Sequence, residues 1–314
     1  MDFRWMFKSR IAGRAVVGLR RPYRYGWGEA KNMKLATTLC ALLVAVTAAS
    51  SVAGTPFFFI QLSDPQFGMF AADAGFAQET ANFEFVIATA NRLRPAFVVV
   101  TGDLVNKPGD DAEIAEYRRI AAKLDPAIPL HNVAGNHDVG NVPTPQSIAA
   151  YTGQFGPDHY TFRHEDLVGI VLDSSLIHAP EGAPELFAEQ ERWLRGELER
   201  ARGAGARHIV IFQHHPWFLS DADEPDQYFN IPRERRARYL AMFREFGVRH
   251  LVSGHYHRNA LARVGDLEMI TTGPVGKPLG DAKSGMRIAI VRDGGIEHRY
   301  YELGGLPDRV AVGK

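Results

Sequence analysis

Residues 57–68 read FFFIQLSDPQFG, an apolar run that becomes polar at its midpoint. The four residues 57–60 favour a buried strand, and Asp64 stands in the loop that follows it. Gln66 lies two positions further on, where a histidine would be the expected partner of an aspartate that binds a metal. The stretch therefore indicates an altered metal site, a damaged one, or no site at all.

The same change from apolar to polar residues recurs at four other places along the chain. In open α/β sheets, ligands bind in the crevice outside the carboxyl ends of the strands. Polar clusters at five such ends would meet in one crevice, and this convergence is the main structural expectation from the sequence. The four further clusters are GD at 102–103, GNHD at 135–138, QHHP at 213–216 and GHYH at 254–257.

Apolar periodicity predicts helices between the strands. We predict strands over residues 57–62, 97–100, 130–134, 167–172 and 208–212, and helices over 76–94, 112–124, 187–202 and 232–246. After residue 250 only short strands are predicted, punctuated by Gly and Asp. This order is typical of an α/β domain with mixed sheets. No linker interrupts it, so residues 55–304 are predicted to form one catalytic domain and residues 305–314 a loose tail.

The N-terminal part of the chain has the pattern of an export signal. The stretch that begins at Met33 has Lys34, an apolar run of about 15 residues and small residues at 51–53. That run is too short for a comfortable membrane span. We therefore predict a signal peptide over residues 33–54, an upstream mis-started segment over residues 1–32, and an exported protein, periplasmic or secreted, without a membrane span after cleavage. The alternative is a basic arm before a membrane anchor.

Composition excludes several classes of function. Residues 1–53 hold nine of the 36 Lys and Arg and two of the 36 acids, which leaves 27 basic and 34 acidic residues, a net charge of −7, for the remainder. A domain at −7 is not a typical nucleic-acid binder. The single cysteine, Cys40, lies in the predicted signal peptide, so the mature chain would have no disulfide, thiolate ligand or cysteine nucleophile. The sequence contains no Gly-x-Ser-x-Gly motif, which would indicate a serine hydrolase. The oligomeric state is left open.

The residue types in the five clusters suit a pair of divalent metal ions. Carboxylates, amide oxygens and imidazoles are ligands for Mn²⁺, Mg²⁺, Fe²⁺ and Zn²⁺. Asp103 is placed to bridge the two ions through its two carboxylate oxygens. Two such ions outweigh two carboxylates by about two charges, which would attract phosphate to an otherwise acidic protein. The predicted further ligands are Asp64 and His257 for one ion, and Asn136, His214 and His255 for the other.

His137 has a different predicted role, that of a catalytic proton donor. It stands beside the predicted ligand Asn136, so it lies near the ions without having to bind them. Two ions about 3.5–4 Å apart hold a bridging water, lower its pKa and clamp phosphoryl oxygens. An ordinary histidine has a pKa of about 6.5, which suits a proton donor to a leaving oxygen.

Five motifs resemble those of the calcineurin-like metallophosphoesterase superfamily, in the same order: SDPQFG, GDLVN, GNHDVGN, QHHPWF and SGHYHRNA. They are most similar to the subfamily of calcineurin-like phosphoesterase domain-containing protein 1, over residues 56–303. The resemblance implies a four-layer α/β/β/α sandwich of two mixed sheets flanked by helices, with a binuclear metal centre. It also implies a phosphoesterase, which in eukaryotes is described as a serine/threonine phosphatase. It selects His214 rather than His215 as the ligand in the HHP motif.

Two departures from the superfamily patterns affect the expected site. Most members carry Asp-x-His where this chain and the subfamily carry Asp-Pro-Gln, which indicates a variant design. A glutamine carbonyl is a weaker donor than imidazole, so Gln66 as a ligand would weaken the first ion and favour Mn²⁺ or Mg²⁺ over Zn²⁺. Alternatively, Gln66 only hydrogen-bonds a metal-bound water. Asn106 replaces the aspartate that orients the catalytic histidine in calcineurin-type protein phosphatases, and the tyrosine ligand of purple acid phosphatases is also missing there. Asn106, Asp138 and His215 are predicted to contact ligands or substrate rather than metal.

These features predict an exported phosphoesterase that acts on phosphomonoesters, including those of the phosphoserine and phosphothreonine type, by direct attack of a metal-activated hydroxide. The alternatives are a phosphodiesterase acting on nucleotides or lipid head groups, and a metal- or phosphate-binding protein with little turnover. Residues 217–231, rich in aromatic and acidic side chains, are expected to form a loop over the site.

Overall fold

Two β-sheets form the centre of the protein in the computed structural model, which describes residues 54–313. The strands are β1 (Phe57–Leu62), β2 (Val98–Val100), β3 (Leu130–Asn132), β4 (Tyr160–His164), β5 (Leu167–Val171), β6 (His208–Phe212), β7 (His250–Ser253), β8 (Ala260–Val264), β9 (Leu267–Thr271), β10 (Gly285–Arg292) and β11 (Gly295–Glu302). The helices are α1 (Ala77–Leu93), α2 (Asp111–Ala121), α3 (Asn136–Val139), α4 (Pro145–Phe155), α5 (Ser174–His178), α6 (Pro184–Gly203) and α7 (Arg233–Glu245).

Both sheets are mixed, as predicted. The first has the strand order β11-β10-β1-β2-β3. In it β1, β2 and β3 are parallel, β10 is antiparallel to β1, and β11 is antiparallel to β10. The second has the order β4-β5-β6-β7-β9-β8, with four parallel central strands and an antiparallel strand at each edge. The carboxyl ends of the parallel strands in each sheet therefore lie at one edge of that sheet, which brings the loops after them together.

Alternation along the strands produces four layers. Phe59 faces the second sheet and packs with Phe97 and Phe212, whereas Ile60 faces α1 and α2. A second outer core, which includes Leu194 and Leu251, joins α6 and α7 to the other sheet. The expected four-layer α/β/β/α architecture is confirmed.

Element ends and short elements show where the sequence pattern was incomplete. The predicted helices match α1, α2, α6 and α7 to within a few residues, but α4 was not predicted. Its start has a clear signal: Thr144 accepts a hydrogen bond from the Ser147 N–H at 3.1 Å, and Pro145 occupies the first turn. Weak apolar periodicity over 145–155 hid the helix, in which Ile148 and Tyr151 are the buried residues.

The two ends of the described chain differ from each other. The predicted tail is irregular after Gly305, yet Leu306 and Val310 pack against the first core and Arg92 donates to the Asp308 carbonyl at 2.6 Å. The predicted upstream segment and all of the predicted signal peptide except Gly54 lie outside the described residues. Within residues 54–313 no helix is both long and apolar enough to cross a membrane.

Candidate metal centre

Five of the predicted ligands lie on backbone in the left-handed region. Their φ angles are 47° for Asp64, 41° for Gln66, 50° for Asp103, 68° for His255 and 54° for His257. Such values are uncommon for residues other than glycine and persist only where the surrounding structure enforces them. They occur in the loops directly after β1, β2 and β7, where the chain turns sharply and the side chains enter a common space.

Glycines before the ligands allow the loops to approach one another. A Cβ at Gly254 would lie 2.5 Å from the Asp64 Oδ2 atom and 3.0 Å from the Thr101 carbonyl oxygen. A Cβ at Gly135 would collide with Asp103, including its backbone nitrogen. Because each Cβ would also meet a main-chain atom, which cannot swing aside, a larger residue at either position would push the ligand loops apart.

Two groups of donor atoms share Asp103. The first, here called the His214 group, consists of Asp103, Asn136, His214 and His255. The His214 Nε2 atom lies 3.2 Å from Asp103 Oδ2, 3.0 Å from Asn136 Oδ1 and 3.1 Å from His255 Nδ1. All four side chains are buried, and two imidazoles, a carboxylate and an amide oxygen form a donor set that suits a first-row divalent ion.

The second group, here called the His257 group, consists of Asp64, Asp103 and His257. One ligand atom from each of these residues lies within 4.8 Å of the others, and His257 Nε2 is 3.3 Å from Asp64 Oδ1. The Asp64 carboxylate accepts from the Ser63 hydroxyl and from the backbone N–H of His255 at 3.2 Å. The pairing of ligands into two groups around a shared Asp103 is the one that the sequence predicts.

Gln66 offers a further oxygen at this centre. Its side chain is buried, its Nε2 donates to Asn106 Oδ1 at 3.0 Å, and its Oε1 has no hydrogen-bond partner within residues 54–313. A buried amide oxygen without a partner carries a desolvation cost of about 1–3 kcal/mol. Coordination of a cation would remove that cost, so the arrangement favours direct ligation over the alternative of a hydrogen bond to a water.

The hydrogen bonds of the three histidine ligands fix their tautomers. In each ring one nitrogen faces a backbone carbonyl, which can only accept a hydrogen bond, so that nitrogen carries the proton and the other presents its lone pair to the site. The bonds are His214 Nδ1 to Thr101 O at 2.9 Å, His255 Nε2 to Tyr228 O at 3.2 Å, and His257 Nδ1 to Lys277 O at 2.6 Å.

The electrostatics of the side chains alone already resemble those of a cation site. Burial disfavours the imidazolium of His214, but the carboxylates of Asp103 and Asp64 outweigh it and raise its pKa to about 9. Burial also opposes protonation of His257, yet Asp64 raises its pKa above the ordinary value. Burial and the nearby His214 lower the pKa of His255 to about 3. In the metal-free protein, the protons on His214 and His257 thus place positive charge where divalent ions would place it.

His137 lies at the edge of the centre without joining either group. Its backbone N–H donates to Asp103 Oδ1 at 2.9 Å, and its ring Nδ1 donates to the Asn106 carbonyl at 2.6 Å. The ring is partly exposed, and its Nε2 has no hydrogen-bond partner among the described residues. A main-chain carbonyl therefore holds the ring, so the missing aspartate at position 106 does not leave this histidine unoriented.

Asp138 joins two ligand loops through its carboxylate. Oδ1 accepts from the N–H groups of Leu104 and Val105 at 2.9 and 3.2 Å, and Oδ2 accepts from Gly135 at 2.8 Å. These bonds fix the loop after β2 relative to α3. The side chain holds the loops and lies outside both donor groups.

His215 lies behind the His214 group. Ser174 Oγ accepts from the backbone N–H groups of His214 and His215, so its own proton is directed to His215 Nδ1 at 3.1 Å. The His215 ring packs against that of His255 with 4.2 Å between centroids. Burial and the neighbouring histidines lower its pKa well below the ordinary value, which keeps this ring neutral.

Two contacts at the site were not predicted from sequence. The Tyr228 hydroxyl lies 3.3 Å from Asn136 Nδ2, and Asn141 Oδ1 accepts from the same Nδ2 at 3.1 Å. Residues 217–231 were expected to form a loop over the site, but no role was predicted for Tyr228 itself. Asn141, three residues after Asp138 in an irregular turn, carries no local signal that indicates a role.

Histidines outside the clusters are absent from both donor groups. His131, for example, stacks on Phe162 in the core, and His250 lies 3.7 Å from Glu268. A cavity of 670 Å³ beside His208 and His250 opens at the amino ends of β6 and β7, the opposite ends of these strands from the metal centre.

Comparison with known proteins identifies the family. Residues 59–259 match the family model of calcineurin-like phosphoesterases. The chain belongs to the calcineurin-like phosphoesterase family. As a member, it is a metal-dependent phosphoester hydrolase, and the two donor groups around Asp103 are the candidate binding sites for its metal ions.

Relatives support this family assignment over most of the chain, and a solved structure shares its fold. The sequence is 36% identical over 269 residues to serine/threonine-protein phosphatase CPPED1 of Danio rerio, covering 81% of this chain and 87% of the relative. It is 35% identical over 270 residues to CPPED1 of Homo sapiens, covering 81% and 86%. A dimetal phosphatase from Danio rerio superimposes with a TM-score of 0.55 at 15% identity, covering 78% of this chain and 99% of that one, and shows the shared fold.

Proposed function

We propose that this phosphoesterase is an exported phosphomonoesterase with two metal ions, and that its substrates include phosphoserine and phosphothreonine groups. The observation that carries the hydrolytic part is the sharing of Asp103 by two buried donor groups, with the His137 ring beside them. When bound, two ions would supply positive charge to the phosphoryl oxygens and lower the pKa of the attacking water.

The protein's own groups would hold and protonate the reacting ester. His137 is oriented by the Asn106 carbonyl through Nδ1, which leaves Nε2 to donate a proton to the leaving oxygen. Asp103 accepts the backbone N–H of His137, so the ring keeps a fixed position relative to the centre of both groups. Proton donation from Nε2 would neutralise the alkoxide as the ester bond breaks.

The preference for monoesters is supported by the cover on one side of the site. The Tyr228 ring lies against His255, with 4.9 Å between centroids, and its hydroxyl reaches Asn136. A diester needs room for a substituent on both sides of phosphorus, whereas a monoester needs it on one. Tyr228 restricts the side formed by the His214 group.

The substrate class is supported by the relatives. The proteins that are 35–36% identical to this chain are described as serine/threonine-protein phosphatases. Exposed Asp221, Asp223 and Asp226 on the loop beside the site would favour a phosphorylated residue flanked by positive charges. Export is supported by the apolar stretch after Met33 and the small residues that follow it.

The test is hydrolysis by residues 55–314. p-Nitrophenyl phosphate and bis-p-nitrophenyl phosphate are compared without metal and with Mn²⁺, Mg²⁺ or Zn²⁺. Loss of the general acid in His137→Ala should lower kcat about 10²–10⁴-fold while the metal content stays unchanged. The control is His164→Ala, a ring that packs on Phe57 at the far end of β1. Faster hydrolysis of the diester would overturn the monoester proposal, and no metal-dependent turnover would leave a binding protein.

Two further measurements address substrate and export. Phosphoserine and phosphothreonine peptides with flanking arginines should be hydrolysed faster than matched peptides with flanking glutamates. Cell fractionation of the full chain, followed by N-terminal sequencing, should find a mature protein that begins near residue 54. A full-length cytoplasmic product would contradict export.

A further inference from the structure

Tyr228 contacts two members of the His214 group at once. Its backbone carbonyl accepts from His255 Nε2 at 3.2 Å, and its hydroxyl accepts from Asn136 Nδ2 at 3.3 Å. Among the described residues, Tyr228 makes no hydrogen bond or ring contact with the His257 group, in which the Lys277 carbonyl holds His257. The tyrosine therefore touches the ligands of one ion and not the side chains that complete the other.

Each contact determines which atom faces the site. With Nε2 of His255 committed to a carbonyl, Nδ1 is the nitrogen that lies 3.1 Å from His214 Nε2. With Nδ2 of Asn136 committed to the Tyr228 hydroxyl and to Asn141 Oδ1, its Oδ1 lies 3.0 Å from the same His214 atom. An amide rotated by half a turn would present N–H groups to a cation and could not bind it.

The segment that carries Tyr228 is fixed by its own buried polar core. Arg236 on α7 is fully buried and donates to the carbonyls of Ala222, Glu224 and Ile231 at 2.8–3.1 Å. The Glu224 carboxylate in turn accepts from the N–H groups of Leu219 and Ser220 and from Asn230 Nδ2. Residues 217–231 thus hold Tyr228 in place through α7, independently of the ligands it touches.

We propose that Tyr228 is a positioning residue that fixes the ligand faces of Asn136 and His255, so that occupancy of the His214 group depends on the placement of residues 217–231. The inference rests on the metal centre of the proposed function and not on its substrate. It makes the two ions unequal, because only one of them depends on this loop.

The test measures metal binding directly, so it does not require turnover. Mn²⁺ titrations of wild-type protein, Tyr228→Phe and Asn141→Ala are followed by calorimetry and by electron paramagnetic resonance. Loss of the hydroxyl in Tyr228→Phe should weaken one of the two ions about 10-fold, the usual effect of removing a group that orients a ligand, and leave the other within about 2-fold. At one protein concentration, the exchange-coupled two-manganese signal should then need more Mn²⁺ to appear.

The two hydrogen bonds to Asn136 Nδ2 should cooperate. Either one alone still restrains the Asn136 side chain, so Tyr228→Phe combined with Asn141→Ala should weaken that ion by more than the product of the single effects. Excess Mn²⁺ should restore the coupled signal in each single variant. Should hydrolysis be measurable, the same excess should restore kcat, which separates a failure of this inference from a failure of the proposed activity.

A matched control and three outcomes decide the matter. Tyr256→Phe removes a neighbouring hydroxyl that has no hydrogen-bond partner in the described chain, and it should bind both ions normally. Unchanged affinity in Tyr228→Phe would overturn the proposal, as would equal weakening of both ions. A charge-transfer band in Fe³⁺-loaded wild-type protein that Tyr228→Phe loses would make the tyrosine a ligand and also overturn it. Because the Tyr228 side chain is exposed, these variants are expected to fold.

Discussion

The amide at position 66 offers the His257 group a weaker donor than a histidine at the same position would offer. The Gln66 Nε2 atom donates to Asn106, and its buried Oε1 has no partner in the part of the chain that the structure describes. An amide oxygen suits hard ions such as Mn²⁺ or Mg²⁺ better than it suits Zn²⁺. A single side chain at this centre can therefore shift the preference between metals without altering the fold.

Replacement of Gln66 by histidine tests that role. Gln66→His should raise the affinity for Zn²⁺ relative to Mn²⁺ about 10-fold, because imidazole is the better donor for zinc. The ratio is measured by competition titration with a zinc chelator. Gln78→His, on the exposed face of α1, is the control. An unchanged ratio in Gln66→His would show that position 66 does not contact an ion.

The raised pKa of His214 predicts how metal binding depends on pH. In metal-free protein a pKa of about 9, against 6.5 for an ordinary histidine, contributes stability that is present below pH 6.5 and lost as the pH rises through about 9. A cation must displace that proton, so Mn²⁺ affinity should rise by up to about 10-fold per pH unit across this window. The melting temperature with Mn²⁺ minus that with EDTA should grow from pH 6.5 to 9. A constant difference would contradict proton displacement, and His214→Gln should weaken the trend, leaving the contribution of His257.

At the scale of elements, the loops after the strands and the short helix α3 carry the site. The ligand loops are tied to one another by Asp138, whose carboxylate joins the turn after β2 to α3. The loop over residues 217–231 is built around Glu224 in the same way. Each loop has a buried carboxylate at its centre, which accepts the N–H groups that a strand or helix would otherwise satisfy.

Removal of the carboxylate in the second loop should loosen it locally. Opposing its burial, hydrogen bonds from Asn230, Leu219 and Ser220 lower the pKa of Glu224 to about 2. Glu224→Ala would leave those donors unpaired at a cost of about 1–3 kcal/mol. Hydrogen exchange at Leu219 and Ser220 should become at least about 10-fold faster, while exchange in β6 stays slow. Glu234→Ala, exposed on α7, is the control, and unchanged loop exchange would show that the carboxylate is not the anchor.

At the scale of the whole molecule, the contact between the two sheets holds the halves of the site together. The segments that follow β1, β2 and β3 carry Asp64, Asp103 and Asn136. The segments that follow β6 and β7 in the other sheet carry the histidine ligands. Both donor groups therefore combine side chains from both sheets. Any change in the packing between the sheets alters distances at the centre.

A cavity between the sheets should cost stability and metal affinity together. Phe212 is fully buried and packs on Phe59, Phe97 and Phe162. Phe212→Ala should lower the free energy of unfolding by about 3–5 kcal/mol, measured by urea denaturation. Phe85→Ala, at a side chain that is 48% exposed, should stay within about 0.5 kcal/mol of wild type. A loss below 1.5 kcal/mol in Phe212→Ala would show that the interface between the sheets can readjust.

The class of fold and the main candidates for the site could be inferred from the amino-acid types and their order along the chain. Apolar runs that end in Asp64, Asp103, Asn136, His214 and His255 predict parallel strands with ligands at their carboxyl ends, because parallel strands bring those ends to one edge. The residue types also predict divalent ions, since donor chemistry is a property of the side chain alone. Resemblance to a known family supplied the four-layer arrangement.

Which atom of each side chain faces the site could not be inferred in this way, because it depends on contacts in the folded chain. The tautomers depend on the carbonyls of Thr101, Tyr228 and Lys277, which come from three separate segments and have no side-chain signature. The orientation of His137 likewise depends on a backbone carbonyl, that of Asn106, which any residue at that position would provide. A backbone acceptor is identical in every residue, so its role depends on where the folded chain places it and cannot be read from the amino-acid type.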